Sequence, residues 1–196
     1  MSNGTALHID TRQKIINATL LVAAKHGFER ATTDEISRTA GVSEGIIYHY
    51  FRSKQQLYES MVSEKAANFR AALIEEIGKI RGSRKKLERL IEFHFSSFTG
   101  KDSIFRSLLG KGGDAPMIKD HLISLVIMPY SRIISRIIKE GIEAGEFKDI
   151  YPSVAALDLI GMMQLPALSL HFGQADFSAH RAEVTVKRLF FGGLLK

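Results

Sequence analysis

The sequence of 196 residues contains no cysteine. This absence excludes a disulfide framework, a thiolate metal site and a cysteine nucleophile, and it is compatible with a reducing compartment. The N-terminal residues lack the charged, apolar and small-residue pattern of a signal peptide, and no apolar run approaches the roughly 20 residues that span a bilayer. We therefore expect a cytoplasmic protein with no membrane partner.

Strand-like alternation of apolar and polar residues is missing, and so are hairpin turns. Apolar residues instead recur at helical spacing along nearly every segment, and no internal repeat or low-complexity stretch interrupts them. The fold class is therefore predicted to be all-α. The length suits one large domain, or a small domain followed by a larger one.

Two helices are predicted in the first 40 residues. The first begins after Asp10, a good cap, and ends at Gly27, which suits a left-handed stop. Thr32 to Glu35 forms a capping box, because the side chain of each end can bond the backbone of the other. This box predicts a second, short helix that ends at Ala40.

A tight turn at Gly41 leads to a third predicted helix, which begins after Ser43 and holds Glu44 to Phe51. Its apolar residues Ile47 and Phe51 lie four apart and face a core, which leaves the other side exposed. Two short helices joined by a tight turn are the geometry of a helix-turn-helix, which places its second helix in the major groove of DNA. An ordinary three-helix packing unit fits the same spacing.

Later segments predict a larger helical region. A second capping signature at Ser53 to Gln56 opens a long helix, and Gly82 breaks it. Pro129 removes a backbone hydrogen bond and should kink the helix that contains it, whereas Pro152 suits the first turn of another. The predicted helices cover residues 54–80, 84–99, 104–109, 116–144, 152–170 and 177–191.

Charge alone does not identify a binding surface. The formal net charge of +6 is compatible with a nucleic-acid partner, yet basic and acidic residues nearly balance over residues 1–60. A basic cluster straddles the break at Gly82 and lacks interleaved aromatic residues, so a solvated turn is favoured over a nucleic-acid site. The cluster consists of Lys79, Arg81, Arg84, Lys85, Lys86 and Arg89.

Individual residues of the helix-turn-helix make the pattern specific. These residues are Thr32, Thr33, Ile36, Ala40, Gly41, Val42, Ser43, Gly45, Ile47, Tyr48, Phe51, Lys54 and Leu57. This string of residues resembles the N-terminal region of the TetR family of bacterial transcription regulators, and the resemblance covers Thr11 to about Met61. Beyond it, only helix number, helix lengths and the segment Glu143 to Phe147 are similar to the family, so no ligand class is implied.

The resemblance implies a set of DNA contacts. Thr33, Tyr50 and Lys54 would lie against phosphates with Ser43 and His49 nearby, and Glu44, Gly45 and Tyr48 would lie at base edges. These residue types suit the roles, because hydroxyl, amide and ammonium groups hold phosphates and glycine lets the backbone approach the groove. Glu44 can accept from cytosine, or it can simply favour the start of its helix.

Two residues depart from the family pattern. Ile46 replaces a hydroxyl residue that is common in the family, and it offers an apolar contact for a thymine methyl group instead. Asp34 stands where related proteins can place a basic DNA contact. Since a carboxylate facing DNA would repel phosphate, we interpret Asp34, together with Glu35, as serving the first turn of its helix.

The region after Phe69 mixes aromatic, methionine and polar residues on otherwise apolar helices, which suits a pocket for a small effector. Taken singly, each residue fits a plain core better, and His94 is the most informative polar candidate. The candidates are Phe93, His94, Phe98, Phe105, Met128, Tyr130, Met162, Met163 and His171. Histidines without paired helical spacing give no metal site, and we expect no cofactor.

The last two predicted helices carry small residues beside large apolar ones, namely Ala155, Ala156, Gly161 and Gly192. Close packing between subunits or within one subunit fits this pattern. By resemblance, these helices would form a four-helix interface in a homodimer, and a two-fold operator generally requires a dimer.

Together these features predict two regions and one function. Residues 1–53 would form a three-helix DNA-binding domain, and residues 54–196 a helical effector-binding and dimerisation domain. The chain would repress transcription at a pseudo-palindromic operator until a small, partly apolar effector releases it. Activation, a constitutive DNA-binding protein and an enzyme that uses the later pocket remain alternatives. No nucleophile elbow, phosphate loop, metal motif or clustered carboxylate pair supports the enzyme.

Overall fold

The computed structural model describes residues 3–99 and 123–195. All regular structure in these ranges is helical, apart from one isolated antiparallel bridge between Phe147 and Leu195. The helices are α1 (Asn3–His26), α2 (Thr33–Ala40), α3 (Glu44–Tyr50), α4 (Lys54–Gly78), α5 (Ser83–Thr99), α6 (Met128–Glu143), α7 (Pro152–His171) and α8 (Ala179–Leu194). The all-α prediction is confirmed. The helix predicted at 104–109 and the predicted start of the next helix at residue 116 lie outside the described residues.

The chain divides into two compact units. Described residues up to Ala66 form the first unit, and Ala67 onward forms the second. Packing therefore groups the first half of α4 with α1, α2 and α3, although α4 continues without a break to Gly78. The domain boundary after residue 53 was drawn from the motif and stays a prediction.

The first unit has an apolar core to which each of its helices contributes. The buried side chains come from one face of each helix, at the helical spacing that the sequence indicated. They include Ile15, Ile16, Val22, Phe28, Ile36, Ile47, Phe51, Leu57 and Met61. Helix α1 begins at Asn3 and so continues through Asp10, which makes the predicted start after Asp10 wrong. No proline interrupts residues 3–10, so the helical conformation extends past that residue.

The second unit is built on α5, α6, α7 and α8. Its buried side chains include Leu73, Leu87, Leu90, Ile91, Phe95, Ile134, Ile138, Leu159, Met163 and Phe190. Pro129 lies in the first turn of α6, directly after a π-helical turn at Ile123–Ile127. Pro129 therefore lies where the π-helical turn ends and the α-helix begins, and it does not kink the middle of one α-helix as predicted.

The segment that follows α6 contacts both α5 and α6 through Glu146 and Phe147. Its chain reversal places Phe147 against Gly141, where an added Cβ would come within 2.2 Å of the Phe147 ring. The Glu146 carboxylate accepts hydrogen bonds from the backbone N–H groups of Ser83 at 3.1 Å and Arg84 at 3.0 Å. These two N–H groups belong to the first turn of α5 and have no partner within the helix. The segment from Glu143 to Phe147 is therefore structural.

Helices α7 and α8 differ from the sequence prediction at their ends or in their character. By length and composition alone, α7 is long and apolar enough to cross a membrane, with 33% of that window buried. The expectation that no apolar run approaches this length is wrong for α7. Helix α8 begins after the Ser178 cap and continues through both glycines to Leu194, whose carbonyl accepts from Lys148 N at 2.9 Å. This contact holds an end that the glycines alone would terminate.

Candidate functional site

The turn between α2 and α3 has the geometry that the sequence predicted. Thr32 caps α2 by accepting a hydrogen bond from Glu35 N at 3.1 Å. Gly41 has φ +68°, and its N–H donates to Arg38 O while Val42 N donates to Ser37 O. This pair of bonds is a Schellman motif, and its left-handed residue favours glycine. The tight turn is confirmed. Of the predicted capping box, the bond from Glu35 N to Thr32 is present, whereas the Glu35 carboxylate lies 3.3 Å from His26 Nε2.

Helix α3 has one buried and one exposed side. Ile47 and Phe51 are 1% and 2% exposed, respectively, as their spacing predicted. The opposite side presents Glu44, Gly45, Ile46, Tyr48 and His49 to solvent. Tyr48 is 52% exposed and Ile46 38%, so both offer apolar surface beside polar groups. This mixture suits a groove that contains phosphates, hydrogen-bonding base edges and thymine methyl groups.

The residues expected at phosphates have different environments. Ser43 caps α3 by position, but its hydroxyl makes no capping hydrogen bond, so it stays available to a partner. Thr33 and Tyr50 are half-buried. Lys54 Nζ donates to the Glu29 carbonyl at 2.9 Å and lies 4.8 Å from the centre of the Phe28 ring. Since an ammonium group has three donors, this contact leaves others for a phosphate.

Asp34 has a specific partner on its own helix. It lies in the first turn of α2, as interpreted from the sequence, and its two carboxylate oxygens accept from the Arg38 guanidinium, with Nε to Oδ1 at 3.1 Å. The Arg38 side chain is 77% exposed. Sequence reasoning did not single out Arg38, although its spacing of four from Asp34 indicates the pair. Neutralised in this way, Asp34 does not present a free negative charge.

The start of α4 is held by a reciprocal pair. Gln56 N donates to Ser53 Oγ at 3.1 Å, and Arg52 N donates to Gln56 Oε1 at 2.7 Å. The predicted capping signature is therefore confirmed, with the return bond made to Arg52 and not to Ser53 itself. Two hydrogen bonds therefore hold the backbone that connects α3 to α4.

A cluster of aromatic rings lies inside the second unit. Phe69 contacts three rings at centroid distances of 5.3 Å to Phe93, 5.6 Å to Phe98 and 5.4 Å to Tyr130. His94 packs at 4.2 Å from Phe98 and stacks on Tyr130 at 6.0 Å. The aromatic cluster, as we call these five residues, draws on α4, α5 and α6. Phe69 was not among the candidates, because nothing near it in sequence indicates its neighbours.

His94 is the polar centre of the aromatic cluster. It is 1% exposed, and its Nδ1 lies 3.4 Å from the Tyr130 hydroxyl. Its Nε2 has no hydrogen-bond partner among the described residues. Burial lowers the pKa of His94 to about 3, so the ring is neutral. Burial also raises the pKa of Tyr130.

The other described pocket candidates differ in their exposure to solvent. Met163 is fully buried, whereas Met128 is 39% exposed and Met162 is 38% exposed. His171 packs against Phe172 at 5.1 Å. Met162 instead lines a groove of about 600 Å³ between α7 and α8, and Phe105 lies outside the described residues.

Large apolar side chains remain exposed on α7 and α8. On α7 they recur at spacings of three to five and form a stripe, and on α8 they lie five apart. The residues are Val154, Leu157, Met162 and Leu165 on α7, and Val184 and Leu189 on α8. Gly161 and Gly192 are also exposed. Ala155 and Ala156 are instead buried within the subunit, so their small size serves internal packing.

Three of the six residues of the basic cluster around Gly82 pair with carboxylates of the same unit. Arg84 pairs with Glu88 at 2.9 Å, Lys86 with Glu140 at 2.9 Å, and Arg89 with Glu76 at 2.9 Å. These contacts support the solvated turn. In residues 3–99 and 123–195, no group of three or more metal-binding side chains is present.

Two family models match the chain. Residues 15–61 match the model described as "Bacterial regulatory proteins, tetR family", and residues 62–164 match "YsiA-like protein, C-terminal region". Together the matches cover the DNA-reading motif and the aromatic cluster residues Phe69, Phe93, His94, Phe98 and Tyr130.

Curated relatives are regulators. The fatty acid metabolism regulator protein of Bacillus subtilis is 29% identical over 136 residues, which is 69% of this chain and 70% of that protein. The regulator BetI of Agrobacterium fabrum is 31% identical over 86 residues, which is 44% of this chain and 42% of that protein.

Solved structures share the fold. FadR from Bacillus subtilis in complex with stearoyl-CoA gives a TM-score of 0.79 at 24% identity and covers 92% of this chain and 98% of that one. A regulator from Saccharomonospora viridis in complex with choline gives 0.76 at 17% identity, with 94% and 97% covered. At these identities the likeness establishes the fold alone.

Proposed function

Because the chain belongs to the TetR family of bacterial transcription regulators, we propose that it represses transcription as an operator-bound homodimer, which a small, partly apolar effector releases. The observation that carries the proposal is the exposed side of α3, which lies between the tight turn at Gly41 and the capped start of α4. Such a rigid, solvent-facing helix after a tight turn is what a major groove accepts. We expect the protein to act in the bacterial cytoplasm.

The proposed contacts divide into two kinds. Glu44, Gly45, Ile46 and Tyr48 read base edges or thymine methyl groups, and their exposure supports this role. The phosphate contacts come from residues at helix ends and beside α3, and they carry no sequence information. These are Thr33, Ser43, His49, Tyr50 and Lys54.

A homodimer follows from the apolar stripes of α7 and α8. Leu165 is 71% exposed and Leu189 is 63% exposed, which is costly in water unless another surface covers them. The exposed glycines Gly161 and Gly192 allow a second helix to approach closely. A dimer that reads two half-sites one turn of DNA apart holds its two copies of α3 roughly 34 to 36 Å apart.

The effector is proposed to be an anionic molecule with a long apolar part, such as an acyl-CoA. The relative from Bacillus subtilis is named for fatty acid metabolism and its structure contains stearoyl-CoA. Arg70 directly follows Phe69 in α4, and its guanidinium contacts only the Leu125 carbonyl, at 3.4 Å, with no carboxylate in the described residues. A guanidinium with no carboxylate partner in the described residues favours an anion over the choline that the Saccharomonospora structure contains.

The test is selection of binding sites from random duplex DNA with the purified protein. We expect a two-fold motif that Tyr48→Ala loses or weakens at defined positions. Lys139→Ala removes an exposed charge from α6 and is the matched control, which should select the same motif as the wild type. Selection of no motif by the folded wild type would refute the repressor. Release of the selected DNA by stearoyl-CoA, and not by choline, would support the effector class.

A constitutive DNA-binding protein is the second candidate function. It would select the same motif, but stearoyl-CoA and choline would both leave the complex intact. An effector must bind the DNA-incompetent state more tightly in order to release the operator, so unchanged affinity at saturating ligand distinguishes the two.

A further inference from the structure

The buried imidazole of His94 is incomplete in the ligand-free protein. Its Nε2 is shielded from solvent and has no hydrogen-bond partner in the described part of the chain. A buried polar group without a partner destabilises a fold, and native structures contain few of them. Such a group therefore needs an explanation other than stability.

The pair with Tyr130 indicates which atom carries the proton. If the Tyr130 hydroxyl donates to Nδ1, the two side chains leave one unmet group, the Nε2–H donor. If Nδ1–H donates to the tyrosine instead, both the phenolic proton and the Nε2 lone pair remain unmet. The first arrangement costs less, so we assign the proton to Nε2. The missing partner is then an acceptor.

The surroundings of His94 favour an apolar ligand that carries this acceptor. Phe98 and Tyr130 lie against the imidazole, and Phe69 joins them to Phe93. Phe69 and Phe93 are half-buried, so the aromatic cluster extends from the fully buried His94 towards solvent. In a protein core without a ligand, a buried position among aromatic rings is usually occupied by an apolar residue and not by a histidine.

We propose that Nε2–H of His94 donates a hydrogen bond to an uncharged acceptor oxygen of the effector, such as the carbonyl of an acyl thioester, and thereby selects acyl ligands over plain hydrocarbon chains. This inference rests on the proposed function. The Tyr130 hydroxyl positions the imidazole by holding Nδ1, and the rings of the aromatic cluster contact the apolar part of the ligand. A bound effector completes a hydrogen bond that the free protein lacks.

Four single variants and one double variant of the full chain test the assignment, each measured for thermal unfolding without ligand and for stearoyl-CoA binding. His94→Leu keeps similar volume without polar atoms, and His94→Gln keeps a donor at a comparable reach. Tyr130→Phe frees Nδ1, and it is also combined with His94→Leu. Ile91→Val is the matched control, since Ile91 is a buried residue of the same helix.

We expect His94→Leu to bind stearoyl-CoA at least tenfold more weakly. In the Tyr130→Phe background, where no bond from Tyr130 to the ring is lost, it should leave the unfolding temperature unchanged or raise it. His94→Gln should recover most of the affinity, and Tyr130→Phe should lose a smaller part of it. Ile91→Val should lower the unfolding temperature slightly without changing affinity. This combination separates a ligand-binding histidine from a merely structural one.

Two results would overturn the inference. One is a clear fall in unfolding temperature when His94→Leu is combined with Tyr130→Phe and compared with Tyr130→Phe alone, since Nε2 must then have a partner in the free protein. The other is unchanged stearoyl-CoA affinity in His94→Leu. Failure of the wild type to bind stearoyl-CoA is a different outcome, because it refutes both the acyl effector of the proposed function and the carbonyl partner assigned here.

Discussion

The two units of this protein differ in whether their buried polar side chains have hydrogen-bond partners and in how many large apolar side chains their helices expose. In the first unit, the buried hydroxyl of Thr19 donates to the Ile15 carbonyl at 2.8 Å and that of Ser37 donates to the Asp34 carbonyl at 2.8 Å. In the second unit, the described residues include a buried imidazole with an unmet nitrogen. The second unit also exposes large apolar residues such as Leu165 and Leu189 on its last two helices.

This difference indicates what each unit needs from a partner. A unit whose interior is satisfied and whose exposed helix is mixed polar and apolar can bind a hydrated, charged surface without rearranging. A unit with an open apolar stripe and an unmet buried donor gains stability when both are covered. The first is suited to reading DNA, and the second to a second subunit and a ligand.

Leu165→Glu should have the largest effect, because it removes the apolar character of the stripe on α7. A carboxylate buried at a subunit interface without a partner costs about 3–5 kcal/mol. We expect sedimentation velocity to show a monomer, and operator affinity to fall by at least about a hundredfold, which corresponds to roughly 3 kcal/mol. Thermal unfolding should show that the helical fold remains.

Leu21→Glu is the matched control, since Leu21 is an exposed leucine of the first unit. It should leave the dimer intact. If both variants dimerise as the wild type does, the apolar stripe is not the subunit interface, and the difference between the two units does not concern oligomers.

The second difference between the units, the buried imidazole of His94 without a partner at Nε2, should make the stability of the protein depend on pH. In the folded chain the pKa of His94 is about 3, well below its ordinary value of 6.5. Between these values the unfolded chain binds a proton that the folded chain does not, so stability falls as the pH drops below 6.5. One proton corresponds to about 1.4 kcal/mol per pH unit, or about 2 kcal/mol between pH 6 and pH 4.5.

Urea unfolding of the wild type and of His94→Leu at several pH values checks this. Carboxylates titrate alike in both proteins, so the difference between the two curves isolates the imidazole. The wild type should lose about 2 kcal/mol more than the variant over that range. Parallel curves would mean that His94 becomes protonated without leaving the folded state.

The local structure of the first unit could be read from the sequence because its signals are short-range. At Thr32 and at Ser53 the hydroxyl accepts from the backbone N–H three residues later, as the capping signatures predicted. The two sides of α3 follow from helical spacing alone. The start of α1 was missed because a good capping residue, Asp10, does not prevent a helix from continuing through it.

The aromatic cluster could be predicted only in part, because it depends on how distant helices cross. His94 stood out between two phenylalanines, but its missing partner is a property of the packed structure. Phe69 and Tyr130 are separated by 61 positions (130 − 69) and meet only in the fold. Likewise, helical periodicity could not distinguish Ala155 and Ala156, which are buried, from Gly161, which is exposed.

Two glycines of the first unit should respond in opposite ways to alanine. Gly41 has φ +68°, so Gly41→Ala should destabilise the protein by about 1–2 kcal/mol. Gly45 has an ordinary helical backbone, and an added Cβ would have Ser43 Oγ as its nearest neighbour at 3.9 Å. Gly45→Ala should therefore stabilise the helix by roughly 0.5–1 kcal/mol.

Operator binding then distinguishes the two positions. If the backbone at Gly45 approaches the groove floor, Gly45→Ala should weaken binding about tenfold even though the protein is more stable, which corresponds to roughly 1.4 kcal/mol. Unchanged operator affinity would show that the backbone at Gly45 does not approach the floor of the DNA groove. The measurements are thermal unfolding and a binding titration with the selected operator.

The smallest effect is expected at Glu92, a surface carboxylate of the second unit that has two cationic partners. Its carboxylate accepts from Lys187 Nζ at 2.8 Å and from Arg89 Nη1 at 3.1 Å, and these bonds hold the pKa of Glu92 below its ordinary value of 4.5. A depressed carboxylate pKa stabilises the fold above pH 4.5, and the contribution is lost as the pH falls through the folded value.

Glu92→Gln should lower stability at pH 7 by less than about 1 kcal/mol, because the pair is partly exposed and Lys187 keeps its contact with Glu183. The difference from the wild type should shrink as the pH falls below the ordinary carboxylate value. Glu143→Gln, which changes a more exposed carboxylate, is the control and should have almost no effect. A loss of unfolding free energy in Glu92→Gln as large as the loss expected from His94 at acidic pH would contradict this prediction. Surface ion pairs would then matter as much to the stability of the second unit as the buried donor without a partner.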